Sequence, residues 1–232
     1  YFNYRHQQKL HRQRISELET QQQLTATEAV LKGEEQERAR LAKDLHDGLG
    51  GLLSGIKYSL NSIRPGLPPA NIQSFDRSID MLDTSIKEIR RVSHNMMPEA
   101  LLKFGLDTAL KDYCHDINQT GALQVSYQSI GLEDLHMENT ASITVYRIVQ
   151  ELLGNILKHA AAKNALVQIS RSGNQLSVTV EDDGKGFDAS VLSHTSGIGW
   201  ANIRSRVEFL KGKTDIRSEA GKGSSILVEF HI

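Results

Sequence analysis

Only four prolines occur in the 232 residues, and each marks a break between elements. Pro65, Pro68 and Pro69 fall in RPGLPPA (64–70), and Pro98 follows Met96 and Met97. Cysteine is scarcer still. With Cys114 alone no intramolecular disulfide can form, and a reducing compartment is the natural setting. Cys114 itself reads as a small, partly buried apolar residue. No run approaches the roughly 20 apolar residues of a membrane span. Charge of one sign is lacking too: 27 basic and 28 acidic residues leave a net charge of −1, which gives no argument for direct nucleic-acid binding. The 39% hydrophobic and 24% charged residues that are present suit a globular chain of one to two domains. The chain starts at Tyr1, not Met, and Tyr1, Phe2 and Tyr4 precede Arg5, Lys9, Arg12 and Arg14. Aromatic then basic residues are what emerges on the cytoplasmic side of a membrane helix, so a transmembrane segment upstream is expected; an ordinary basic helix start is the alternative.

Residues 1–36 are rich in Gln, Glu, Arg and Lys, with a weak apolar stripe of Leu10, Ile15, Leu18 and Leu24. They read as a juxtamembrane helical connector, a coiled coil weakest at Gly33. From residue 37 the pattern sharpens. Leu41, Leu45, Leu49, Leu52, Ile56, Leu60 and Ile63 step by four and three, the period of a packed helix seam. The proline-rich stretch 64–70 ends this helix, and a second follows from about residue 71 with Ile72, Phe75, Ile79, Leu82, Ile86, Ile89 and Val92 on one seam. Two such helices form an antiparallel hairpin, 37–97, whose core is too narrow to stand alone. Two hairpins make a four-helix bundle, so a homodimer is expected.

Beyond the boundary near 97–104 the periods mix. Residues 106–118, 138–161 and 198–212 read as helices; 123–130, 165–171, 175–182, 214–218 and 224–232 read as strands. Residues 98–232 are therefore expected to be an α/β sandwich, one mostly antiparallel sheet with one layer of helices.

Chemistry is concentrated in four places. In ERARLAKDLHDGLGG (37–51), His46 lies at the edge of the seam, one turn from Ala42 and Gly50, which are too small to cover it. Gly48, Gly50, Gly51 and Gly55 each cost roughly 1 kcal/mol relative to Ala in a helix, which a purely structural coiled coil would avoid. Asp47 follows the histidine, although Lys43 is an equally available partner for it. In VQELLGNILKHA (149–160), Glu151, Asn155 and Lys158 share one helix face, a plausible magnesium and phosphate site. EDDGKGFD (181–188) follows a strand and lets backbone approach a ligand at Gly184 and Gly186. SGIGWANIRSR (196–206) puts Gly197 and Gly199 ahead of a helix N-terminus, where free N–H groups suit phosphates.

The first stretch resembles the phosphoacceptor segment of sensor histidine kinases, in the subfamily of the nitrate sensors and the membrane-fluidity thermosensor. That resemblance implies phosphorylation of His46 by ATP, with Asp47 as base or orienting carboxylate. The other three, in this order, resemble the ATP-binding domain shared by histidine kinases, gyrase-type topoisomerases, the ninety-kilodalton heat-shock chaperone and mismatch-repair ATPases. The likeness implies Asn155 as magnesium ligand assisted by Glu151, Lys158 and His159 near the phosphates, and Asp182 bonded to the adenine amino group. It also implies Gly184, Gly186, Gly197 and Gly199 around the pocket and a short lid over about 187–196. GKGSS (221–225) resembles the closing turn, with Ser224 where Thr is usual. By the same likeness the partner is the receiver domain of a response regulator, and the chain is the cytoplasmic portion of a bacterial inner-membrane protein.

Three further positions depart from the pattern. Gly154 stands where Thr is common, and Trp200 where Leu is usual, either beside the nucleotide or filling core. Gly51 stands where many relatives carry Gln to position a water for dephosphorylating the partner, so weak phosphatase activity is expected. The competing readings are an ATP-driven conformational switch without phosphotransfer and a Ser/Thr kinase of the anti-sigma type; the His46–Asp47 hairpin favours the sensor kinase over both.

Overall fold

The computed structural model describes residues 2–96, 99–132, 135, 137–188 and 198–232. It divides into two compact units, one formed by Lys32–Glu99 and one by Tyr1–Leu31 with Ala100–Ile232. No helix among the described residues is long and apolar enough to cross a membrane.

Helix α1 (Phe2–Lys43) runs through Gly33 without a break. Its stripe residues Leu10, Ile15 and Leu18 are exposed. At Asp44–Gly50 the helix widens into i→i+5 turns and then resumes as α2 (Gly51–Ile63). A single 3₁₀ turn at Arg64–Gly66 leads to α3 (Pro69–Met96). Pro69 lies inside α3 rather than ahead of it, about two residues earlier than the loop composition suggests. A proline in the first helical turn gives up only an N–H that has no intrahelical partner.

The hairpin closes through the second seam. Ile86 is buried, and Ile72, Phe75, Ile79, Leu82 and Ile89 are half-buried. At its end the inward position passes from Val92, 41% exposed, to Ser93, 7% exposed, whose hydroxyl donates to the Ala42 carbonyl at 2.8 Å. Ala42 is 4% exposed, so a small residue opposite a hydroxyl fits where a valine would not. Two ion pairs join the helices lower down. Lys57 donates to both oxygens of Asp83 at 2.6 and 2.8 Å, and Arg64 holds Asp76 in a fork at 2.7 and 2.8 Å. The Leu41, Leu49, Leu52, Ile56 and Ile63 side chains of the first seam stay exposed.

In the second unit, α4 (Glu99–Thr120) breaks at Gly105, where φ is 83°. β1 (Gln124–Ile130), α5 (Asn139–Asn155), β2 (Asn164–Ser172), β3 (Gln175–Asp182), α6 (Ile198–Phe209), β4 (Lys213–Ser218) and β5 (Ser224–His231) follow. The sheet has the order β1-β2-β3-β5-β4, with β1 parallel to β2 and every other pair antiparallel. Alternate residues point to one face: Val167 and Ile169, Leu176, Val178 and Val180, and Ile226, Val228 and Phe230 are all buried. They meet Leu110 and Cys114 of α4, Val149, Leu152 and Leu153 of α5, and Ile203 and Val207 of α6 in one core. This is the expected α/β sandwich of one sheet with helices on one side. Burial pushes the Cys114 thiol up to about 12, so it packs as an apolar group.

The Arg64 hydrogen bond holds the Asp76 carboxyl below its ordinary value. A depressed carboxyl stabilises the fold above its unfolded pKa, and that contribution is lost as pH falls through the folded value. Asp76→Asn is therefore expected to melt below wild type at about pH 7 and to match it at about pH 2. Thermal melts of both proteins at the two pH values check this.

Candidate functional site

Two places gather reactive side chains, one in each unit. In the hairpin, His46 lies inside the widened turn Asp44–Gly50. Its side chain is 58% exposed, and Nδ1 is 3.1 Å from Asp47 Oδ1. Consecutive residues of a regular helix point too far apart for such a contact; the wider turn reduces the angle between them. Of the two partners that the sequence left open for Asp47, the contact formed is with His46 rather than Lys43. With a proton on Nδ1 held by the carboxylate, the lone pair rests on Nε2. Asp47, Gly48, Gly51, Leu52, Gly55 and Ile56 line an open groove beside it.

The second place is a pocket of about 440 Å³ in the α/β unit, at the end of β3 and β5 beneath α5. Asp182 and Ser224 are cross-strand partners. The Ser224 hydroxyl donates to Asp182 Oδ2 at 2.5 Å, and the Gly184 N–H donates to Oδ1 at 2.8 Å. Two residues further into each strand, on the same face, Val180 and Ile226 pair and form the apolar floor. Gly223 has φ 82°, and a Cβ there would collide with the Asp182 carbonyl, so the turn after β4 can close on the Asp182 backbone only with glycine.

The other wall comes from α5 and its continuation. After Asn155 the helix again widens, over Ile156–Ala160, and ends at Ala161 in the left-handed region at φ 51°. Asn155, Ile156, His159 and Ala160 line the pocket. Lys158 is exposed and does not, although a regular helix would put it on the face of Glu151 and Asn155; the five-residue step of the widened turn displaces it. Glu151 is half-buried and faces the start of α6. A Cβ on Gly199 would collide with Glu151 Oε1 and stand 3.6 Å from Asn155 Oδ1. The side-chain oxygens of Glu151 and Asn155 thus converge at one point. Two oxygen donors suit a magnesium ion that takes its remaining ligands from phosphates and water.

Gly186 and Gly199 line the pocket, whereas Gly184 is buried behind it. Gly197 and residues 189–196 of the expected lid lie outside the described residues. Trp200 does both things that its position allowed: it packs against the core and also lines the pocket. Sequence reading missed Lys185 and Phe187, which line the same pocket. Lys185 is fixed by its N–H to the Ala160 carbonyl at 2.8 Å, and Phe187 by its N–H to Ser218 Oγ at 2.8 Å. Only the fold brings these partners together. Asp183 was also overlooked. It accepts from the Asn164 N–H at 2.9 Å, the Asn164 amide at 2.7 Å and the Lys163 N–H at 2.8 Å. Those bonds, the Asn164 backbone first, hold its carboxyl below the ordinary value and pin the start of β2.

The comparisons follow this division. Residues 37–101 match the HisKA_3 model, described as histidine kinase. Residues 140–232 match the HATPase_c model, described as histidine kinase-, DNA gyrase B- and HSP90-like ATPase. The chain is 33% identical over 202 residues to the sensor histidine kinase MctS of Rhizobium johnstonii, covering 84% of this chain and 43% of that protein. It is 28% identical over 207 residues to the signal transduction histidine-protein kinase/phosphatase DegS of Brevibacillus brevis, covering 88% of this chain and 53% of that one. The chain thus spans about half the length of these curated relatives. Among solved structures, the blue-light activated histidine kinase EL346 of Erythrobacter litoralis aligns with a TM-score of 0.48 at 21% identity, covering 80% of this chain and 59% of that one.

Gly199→Ala places a methyl against Glu151, so nucleotide affinity is expected to fall at least about tenfold while the melting temperature shifts little. Equilibrium dialysis with labelled ADP, beside a thermal melt, measures both.

Proposed function

We propose that this chain, which belongs to the histidine kinase family, moves the γ-phosphoryl group of ATP to His46 and from there to an aspartate of a response-regulator receiver domain. The observation that carries the proposal is the exposed His46 imidazole with its Nδ1 against Asp47, in one chain with the Asp182–Ser224 pocket.

His46 Nε2 is the attacking atom. Asp47 keeps the proton on Nδ1 and stabilises the positive charge that grows on the ring as the N–P bond forms. The nucleotide lies in the pocket with its adenine amino group on Asp182, whose remaining lone pairs accept it while Ser224 and Gly184 occupy the others. Asn155 and Glu151 would hold magnesium, which would supply neutralisation of the phosphate charge. His159, which lines the pocket, and Lys158, exposed one residue before it, serve the phosphates. Gly186 and Gly199 border the nucleotide, and Gly184 backs the Asp182 loop; the role implied for Gly197 falls outside the described residues.

The active form is a homodimer. Leu52, Ile56 and Ile63 of α2 and Leu49 of the widened turn before it are apolar and open, and a second hairpin would cover them in a four-helix bundle. Residues 1–36 act as a coiled-coil connector to this bundle, 37–97 as the dimerisation and phosphoacceptor domain, and 98–232 as the ATP-binding domain. The basic residues Arg5, Lys9, Arg12 and Arg14 suit a position beside a bacterial inner membrane, on its cytoplasmic face.

With γ-labelled ATP and magnesium, wild type is expected to gain acid-labile, base-stable label and His46→Ala none. Asp47→Asn should slow labelling by about 10²-fold or more. Label retained in His46→Ala would move the acceptor elsewhere. The groove residue Gly51 has open space where a side chain would begin. Wild type should dephosphorylate the regulator slowly, and Gly51→Gln should accelerate it. A phosphorylated regulator that decays no faster with Gly51→Gln would remove glycine at this position as the explanation.

A further inference from the structure

We infer that Trp200 is a specificity-determining wall of the nucleotide pocket, against which the base of the bound nucleotide stacks; the inference rests on the nucleotide reading of the pocket. Three observations carry it. Trp200 lines the same cavity as Asp182 and Ser224, the polar end suited to a base edge. It is held there, since it packs against the buried core and follows Gly199, whose backbone is fitted against Glu151 and Asn155. A second aromatic ring, Phe187, lines this cavity and is anchored through its own N–H to Ser218. A flat ligand that reaches Asp182 thus enters a cavity with two aromatic rings in its walls above the Val180 and Ile226 floor. Aromatic side chains stack on every base through its π-face, and purines offer the larger face. An aliphatic residue at position 200 would give contact but not stacking.

Trp200 is the only tryptophan of the chain, so its emission reports this one site without background. Wild-type protein is titrated with ADP and, separately, with tripolyphosphate, while ADP binding is followed independently by equilibrium dialysis. ADP is expected to quench the emission saturably, with the same midpoint as dialysis, and tripolyphosphate to leave it unchanged. Trp200→Leu is expected to bind ADP about tenfold more weakly, and Trp200→Phe within about threefold of wild type. Thermal melts of both variants separate lost stacking from lost fold, and the wild-type titration needs no variant. ADP that binds without quenching, with Trp200→Leu binding as tightly as wild type, would make the indole core filler and overturn the inference alone. Wild type that binds no ADP by dialysis would overturn the nucleotide reading and this inference with it.

Discussion

The Asp182 carboxylate is the interaction on which the α/β unit turns. One oxygen takes the Gly184 N–H and the other the Ser224 hydroxyl, so the loop after β3 and the start of β5 are fixed to a single group. The turn preceding β5 closes onto the Asp182 carbonyl through Gly223. The loop after β3 is held from its other side as well, by Lys185 on Ala160 and by Gly221 on the Lys185 carbonyl at 2.7 Å. A carboxylate has about four lone-pair positions, and two protein donors leave capacity for a ligand donor. The same group that builds the pocket's end is thereby left able to read what enters it. Replacing it by an apolar residue would strand the Ser224 hydroxyl and the Gly184 N–H, at a cost comparable to two lost hydrogen bonds.

The hairpin follows the opposite logic. Its helices are joined by one good seam and two ion pairs at exposed or half-exposed positions, the kind that contribute at most about 1 kcal/mol each. Leu41, Leu49, Leu52, Ile56 and Ile63 of the first seam stay open, and its reactive histidine is more than half exposed. Glycines around His46 and a stretch of widened helix both lower local helix stability. Such features are poor engineering for a static support and sound for a residue that another domain must reach. Widened turns occur at the two reactive segments alone among the described residues, Asp44–Gly50 and Ile156–Ala160. Each changes which residues share a face.

That change explains most of what the sequence left illegible. Element type and order followed from periodicity, because the strands alternate cleanly and the hairpin seam steps by three and four. Two assignments that assumed a regular helix shifted at the widened turns. Lys158 drops out of the pocket lining while His159 stays, and Asp47 reaches a neighbour that a 3.6-residue turn would keep apart. Ser93 replacing Val92 is a packing outcome, set by the small Ala42 opposite it rather than by any pattern in α3. Lys185, Phe187 and Asp183 were invisible for a different reason. Their partners Ala160, Ser218 and Asn164 are distant in sequence, and only the fold brings them together.

On the proposed reading, neither site can transfer a phosphoryl group by itself. On that reading the pocket orients the nucleotide, and the hairpin supplies the phosphoacceptor His46. Positioning is most of what phosphoryl transfer asks of a protein. The rate therefore depends on how often the two meet in line, not on the chemistry within either one. A signal that alters the frequency of that meeting changes the output while leaving the Asp182 pocket and the His46–Asp47 pair as they are. The structure suits that reading: the α/β unit has one continuous buried core, while the hairpin is thin, open and rich in glycine around its histidine. Precision is concentrated where ATP must be read, and compliance where a second domain must arrive.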